Sequence, residues 1–478
     1  MIPTITFSIR EIILWLMDNS IQSTTKELDH PNTGKRKEVF QMKMDELFTM
    51  IINEFLDNID YDRRIYYLQL GINSMNNKTR SNFPNHLITN EFIKELYFIS
   101  FREHDTELNT TGLNFIYQVF AKNDEFDTNL IKNHPDNLIE MIKTHIQKSV
   151  GEELKMEFGI LANLILKDEE TAVFINENFP SDFILELYAE NLNTMDEFSL
   201  WCYGMCYLLN TIDDFRPYYI FSFEHFSENC SPYVAFNLLH AILAVTQKHI
   251  NVLEISPEPQ EISKILAEAY SIKKNKIKYI AMKLLYIFWK LSMRTELFQV
   301  FPLKSIVNRL EYPIPEGEFN VKITNISLHF LSDLIASNYR IKFKSDKINQ
   351  LKPLTRDGNI KTRIAACTLA VTLAEFGDDQ TKFILLMTNF ADEVLIFFES
   401  EKSDEQLIAL RFAASMCIYA KKVGKSDIIL NSIEEYREYI EDISNETKDN
   451  IVLGFAKVLI SEIDNCDNIM DEIEGAEP

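Results

Sequence analysis

Apolar side chains in this chain recur every three to four residues over most of its length. Leu161, Leu164 and Ile165 fall on one face, as do Leu238, Leu239 and Leu243, and Ile280, Leu284 and Phe288. That spacing matches the turn of an α-helix, about 3.6 residues. The alternation expected of a half-buried strand is nowhere sustained. Segments that join a small residue to an apolar run begin at Gly112, Gly159, Gly204, Ala235, Ala281, Ser327, Ala365, Ala413 and Gly454. The gaps between them are 47, 45, 31, 46, 46, 38, 48 and 41 residues. All but the gap before Ala235 lie near the roughly 40 to 47 residues of a helical-repeat unit. A small residue at each of these points lets neighbouring helices approach closely, as stacked repeats require.

A second repeated string supports the register. Residues 131 to 142 and 175 to 187 both carry an apolar run, a proline and a second apolar run, with Pro135 and Pro180 45 residues apart. Proline ends one helix, and Asp136 or Ser181 is placed to cap or begin the next. The pattern predicts a helix-turn-helix joint once per repeat.

Composition narrows the class further. At 478 residues the chain exceeds the roughly 250 to 300 that one hydrophobic core serves, so it divides into domains or grows as an open array. An apolar fraction of 46% with 34 Phe is ample for a packed core. With 12 Gly and 14 Pro in all, tight turns are too few for an extensive sheet. The formal charge of −24 disfavours nucleic acid, whose phosphates need clustered Lys and Arg. It makes basic extended segments of other proteins the better partners. One stretch reverses the sign: Lys264 to Lys304 carries nine Lys or Arg against Glu268 and Glu296. It reads as a solvated helix face, or as a patch for an acidic partner. The six Cys, at 202, 206, 230, 367, 417 and 466, form neither a disulfide framework nor a zinc spacing. A reducing compartment fits them. Cys202 and Cys206 could share a helix face and read as buried packing. The apolar run Ile12 to Met17 is far shorter than the roughly 20 residues that cross a bilayer, so no membrane partner is expected.

The search for catalytic chemistry is negative. No Gly-x-Gly-x-x-Gly, Walker loop, Gly-x-Ser-x-Gly or His-Glu-x-x-His occurs, and phosphate-cradling loops need glycines this chain lacks. No catalytic residue, metal or cofactor is expected, and the chain reads as a non-enzyme. His240, on an apolar face, reads as a core or groove residue. The acid pairs Asp213–Asp214 and Asp378–Asp379 are expected at helix ends, where they cap.

From about Phe83 to Leu187 the chain resembles armadillo repeats, with second helices starting near Asn90, Asn137 or Phe183 and an apolar third helix after each. Within that class it is most similar to the importin alpha nuclear-transport adaptors. The likeness is carried by Asn90 to Leu96, the third-helix segment at Gly112, Leu130 to His134 and Leu161 to Leu164. It also includes the basic run Lys35-Arg36-Lys37 and an acidic tail, in which seven acids and no Lys or Arg follow Ser461. The resemblance implies an all-α, armadillo/HEAT-like right-handed superhelical solenoid of about eight to nine repeats. It would be divided as a 1–37 N-terminal segment, a 38–460 solenoid and a 461–478 acidic tail. It also implies that the third helices line a concave, protein-binding side.

Importin alpha grips Lys-rich peptides with Trp-x-x-x-Asn pairs on its third helices, and this chain departs from that array. Trp201 and Trp289 are followed four residues later by Met205 and Met293, and Trp15, followed by Asn19, precedes the repeats. In the matching register the pairs become Asn114 and Gln118, Gly159 and Asn163, Phe236 and His240, and His329 and Asp333. The expected protein-binding residues are therefore Asn114, Gln118, Asn163, Phe236, His240, His329 and Asp333. Two functions follow: a divergent importin-alpha-like nuclear-transport adaptor, or a scaffold or regulatory subunit of an enzyme or cytoskeletal complex. Either would act in the cytoplasm, the first shuttling to the nucleus, as a monomer or as a subunit of a complex.

Overall fold

The computed structural model describes residues 44–474, apart from 77–82, 102–105, 124–125, 135–136, 292–295, 299, 340 and 448. The basic run at 35–37, Trp15, Asn19, Met293, Pro135 and Asp136 lie outside the described residues. Among those described there are 24 α-helices and no strand, as the periodicity predicts. The fold is all-α.

The chain divides into two compact units, Met1–Ile272 and Lys273–Pro478, where the sequence pattern runs as one array from 38 to 460. In the first unit the helices are α1 (Met44–Asp57), α2 (Tyr61–Met75), α3 (Asn90–Phe101), α4 (Thr106–Lys122), α5 (Asn129–Lys132), α6 (Leu138–Ile146) and α7 (Glu152–Ile165). There follow α8 (Glu169–Asn178), α9 (Ser181–Glu190), α10 (Met195–Leu208), α11 (Ile212–Glu224), α12 (Pro232–Lys248) and α13 (Pro259–Ser271). The second unit holds α14 (Asn275–Lys290), α15 (Leu303–Asn308), α16 (Glu318–Ala336), α17 (Ser345–Asp357), α18 (Ile360–Phe376) and α19 (Asp379–Met387). It ends with α20 (Ala391–Leu395), α21 (Ser403–Lys422), α22 (Ser426–Glu434), α23 (Arg437–Glu446) and α24 (Asn450–Glu474).

All nine small-residue segments lie on helices that pack in succession. In the first unit the row is α2, α4, α7, α10 and α12; in the second it is α14, α16, α18, α21 and α24. The row begins one helix earlier than the sequence register, at α2. Its Gly71 lies 41 residues before Gly112, and the Phe115 ring of α4 closes over it. The short interval before Ala235 also has a plain cause. Gly204 stands ten residues into α10 but Ala235 only four into α12, so the two helices start 37 residues apart, at Met195 and Pro232, and the marker positions lie closer than the helices themselves.

Local chemistry fixes the joints. Asp168, Asn359 and Asp378 each accept a backbone N–H from the residue three positions on, at 2.7, 3.0 and 2.8 Å, satisfying donors that a helix start leaves open. Asp213 sits in the first turn of α11, where its charge suits the helix dipole. Ser181 begins α9 without a side-chain cap bond, Pro180 taking the cap position. In the first unit, lysines at or just past the ends of row helices reach back one repeat to carbonyls in the last turn of the preceding row helix. Lys122 donates to Met75 O at 2.6 Å, Lys167 to Phe120 O at 2.9 Å, and Lys248 to Tyr207 O. A cation at the negative end of a helix satisfies orphan acceptors there.

The boundary expected at 460 falls inside α24, which runs on to Glu474. Ile463 is buried, and Glu462 and Asp464 pair with Lys421 and Arg437 at 3.2 and 2.6 Å. Packing therefore continues past residue 461, because apolar residues still recur at helical spacing there.

Candidate protein-binding face

Most row helices bury one side against their neighbours and leave a stripe that retains contact with solvent, while α7 is buried throughout from Glu157 to Ile165. In the first unit the half-buried Tyr117, Tyr207 and Tyr233 lie along it, with Tyr203 buried beneath. Tyr203 and Tyr207 of α10 have ring centroids 5.7 Å apart, Tyr203 lies 5.5 Å from the His240 ring of α12, and His240 lies 4.3 Å from Phe236. Lys248 sits 5.2 Å over the Tyr207 ring, a cation–π arrangement.

Next to these rings lies an acid with unusual chemistry. A Cβ placed on Gly159 of α7 would stand 2.6 Å from Cε2 of Tyr117 and 3.3 Å from Cγ of Glu197. The two side chains, from α4 and α10, thus close over the same bare stretch of backbone. Burial pushes the Glu197 carboxyl up to about 8, with the Lys155 charge pulling the other way. Among the described residues its Oε2 has no hydrogen-bond partner. Burial also raises the Tyr117 and Tyr233 hydroxyls, and the Glu197 carboxylate reinforces this. Beneath them the buried Asn237 amide donates to Ser199 Oγ at 3.0 Å.

In the second unit the stripe of α14 reads Lys276, Tyr279, Lys283, Tyr286 and Lys290, at alternating steps of three and four, which keeps all five on one helical face. The facing stripe of α16 carries Phe319, Lys322, His329 and Asp333. The Tyr286 hydroxyl donates to Asp333 at 2.7 Å, and Lys290 pairs with the same carboxylate at 3.4 Å. Lys290 stands 4.5 Å over the Tyr286 ring. Lys276 and Lys322 stand 5.4 and 5.1 Å from the Phe319 centroid. The His329 ring touches solvent yet is crowded by protein. Burial holds its pKa down, against the pull of the Asp333 carboxylate.

Of the seven residues expected at the face, five retain solvent contact and two do not. Asn114, Gln118, His240 and Asp333 are half-buried, and His329 is exposed. Gln118 and Asn114 touch through their amides at 3.5 Å. Asn163 is buried and its amide donates to Gly159 O of its own helix at 2.7 Å. Phe236 is buried as well. Both are corrections to the expected set: a side chain sealed under its neighbours cannot hold a partner's backbone. Trp201, wholly buried, packs on Phe158 and Phe179. Cys202 and Cys206 are buried in the same helix and their thiols are raised by that burial. Sequence reading missed Tyr117, Tyr207 and Glu197, and saw Lys283 only as part of the basic stretch 264 to 304. The signal was present as heptad-like spacing in α14, but no family pattern marks those positions.

A Ser–His–Glu cluster invites a catalytic reading, and its geometry refuses one. Glu157 Oε1 and Ser149 Oγ both address Nδ1 of His145, at 2.5 and 2.8 Å. A relay needs the nucleophile and the orienting carboxylate on opposite nitrogens of the histidine ring. The Glu157 hydrogen bond raises His145, and burial raises Glu157. The cluster ties α6 to α7.

The chain matches no family model and no curated protein sequence. It is similar to the crystal structure of an engineered protein from the Northeast Structural Genomics Consortium, with a TM-score of 0.60 at 11% identity over 88% of this chain and 99% of that one. It is also similar to a chain of an armadillo-repeat structure from work on a phosphorylation switch that controls the interaction between cadherin and beta-catenin. There the TM-score is 0.50 at 10% identity, over 95% of this chain and 100% of that one. The fold is armadillo-like. In an armadillo-like fold the row of third helices is an extended surface rather than a pocket, and the stripes described above lie on that row.

Proposed function

We propose that the protein is a non-enzymatic scaffold or adaptor that binds other proteins along its row of third helices. The observation that carries this reading is the run of aromatic and charged side chains on successive row helices within each unit. The aromatic rings supply rigid contact area of the kind enriched at interfaces, and the charged groups orient a partner. The armadillo-repeat structure it resembles comes from work on the interaction between cadherin and beta-catenin, which supports protein partners for this chain.

Between a nuclear-transport adaptor and a scaffold or regulatory subunit, the side chains favour the second. Slots for Lys stems need exposed indoles, but Trp201 is wholly buried and Trp289 nearly so. The amide of Asn163 is bound to its own helix. The test is quantitative affinity purification of the full chain beside two variants. One carries Tyr207→Ala, His240→Ala and His329→Ala on the row, and the other carries Val173→Ala and Phe383→Ala on exposed positions of α8 and α19. The row variant is expected to lose one or more partners that the control retains. Equal recovery by both would refute the reading.

A further inference from the structure

From Lys273 to Arg309 the sequence places nine Lys or Arg against a single acid, Glu296, inside a chain of net charge −24. The structure gives this reversal a place. Lys276, Lys283 and Lys290 stand at steps of seven on α14, interleaved with the half-buried Tyr286 and the buried Tyr279, while the opposite side of the helix, including Ile277, Leu284 and Phe288, is buried. Lys322 of α16 adds a fourth cation, sharing the Phe319 ring with Lys276. The acids here are already engaged: Asp333 by Lys290 and Tyr286, and Glu318 by Lys322. Lys283 is half-buried, and among the described residues it makes neither a hydrogen bond nor an ion pair.

A half-buried ammonium with no counterion is costly, because it has lost part of its water and gained nothing in return. An incoming carboxylate supplies the missing partner, and the half-buried Tyr286 ring beside it gives the guest apolar contact. We infer that the α14–α16 face of the second unit docks an acidic, extended segment of a protein partner, with Lys283 as its central anchor and Lys276, Lys290 and Lys322 around it. The inference rests on the proposal that this row binds proteins, and it names the chemistry of the guest. The stripe from Lys276 to Lys290 spans about 21 Å at roughly 1.5 Å per residue, so about six residues of extended chain cover it. Burial holds the pKa of Lys283 down, as an uncompensated cation should behave.

The experiment is fluorescence anisotropy with the full chain at about 0.15 M salt, using three labelled peptides of alternating Glu–Ser, Gln–Ser and Lys–Ser, and a single-stranded oligo-dT of similar length. The Glu–Ser peptide is expected to bind at least ten-fold tighter than the other two peptides and to weaken with salt. Lys283→Gln should weaken it several-fold and the triple change of Lys276, Lys283 and Lys290 to Gln at least ten-fold. Lys425→Gln, at an exposed position in the same unit, should leave it unchanged. Thermal melts of each variant separate lost binding from lost folding. The inference is overturned if Glu–Ser binds no better than Gln–Ser, or if a folded triple variant binds it undiminished. It is equally overturned if the oligonucleotide binds tighter than the Glu–Ser peptide through the same lysines. Failure of the peptide arm with continued loss of partners in the row variant would sink the acidic guest alone.

Discussion

Glu197 shows how much a single residue can carry in a repeat protein. It stands in the first turn of α10, three residues after Thr194, a spacing that in isolation reads as a helix-capping acid. Packing against Tyr117 over the backbone of Gly159 removes most of its water and pushes its carboxyl up to about 8. The folded chain therefore holds this proton more tightly than the unfolded chain, whose carboxyl titrates near the ordinary value of about 4.3. Stability from this group is present at acid pH. It falls as the pH rises past the unfolded value, and the loss levels off above about 8. Glu197→Gln removes the dependence. Urea unfolding should find the two proteins alike at about pH 5 and the variant more stable, by on the order of 1 to 3 kcal/mol, at about pH 8.5. Equal stability at both pH values would mean that the carboxylate is well solvated. None of this was legible beforehand, because the burial of Glu197 depends on side chains that lie 80 residues before it and 36 after it, at Tyr117 and Tyr233.

At the scale of the helix, the small residues are what the sequence made most readable. Gly112, Gly159 and Gly204 were marked by interval alone, and each lies where a neighbouring side chain closes over its backbone. At Gly204 a Cβ would stand 2.7 Å from Cγ2 of Ile165 and 3.4 Å from Cδ2 of Leu166. Ile165 is β-branched, fully buried and at the end of α7, so it has little freedom to withdraw. Gly204→Ala should cost about 1 to 3 kcal/mol by overpacking, net of the roughly 1 kcal/mol that Ala adds as a better helix former. A thermal melt of the variant reads this, and an unchanged or higher midpoint would show that α7 and α10 can separate without loss. Two element-level features escaped sequence reading. Helix α2 belongs to the row but precedes the stretch in which the repeat was visible, and α24 continues past the acidic boundary expected at 460. In both, the apolar face is intact while the composition around it changes, so the eye follows charge where packing follows period.

Across the whole molecule, fold was far more legible than function. Helical period and repeat interval are enforced at every unit by the same stacking geometry, so each repeat is an independent reading of one rule. A binding face has no such redundancy. Residues assigned by family register, such as Asn163 and Phe236, turned inward, while the Lys–Tyr stripe of α14 was visible only as a reversal of charge. The central claim is that proteins bind along the row. It is tested most directly by placing a photo-crosslinking phenylalanine analogue at one position at a time in the full chain, within the source cells. The row positions are Tyr207, His240, Lys283 and His329, and the controls are Val173 on α8 and Phe383 on α19, both exposed. The account predicts that light yields discrete crosslinked partner bands from two or more row positions and none of those bands from the controls. Bands arising only from Val173 or Phe383, with the four row positions silent, would contradict it.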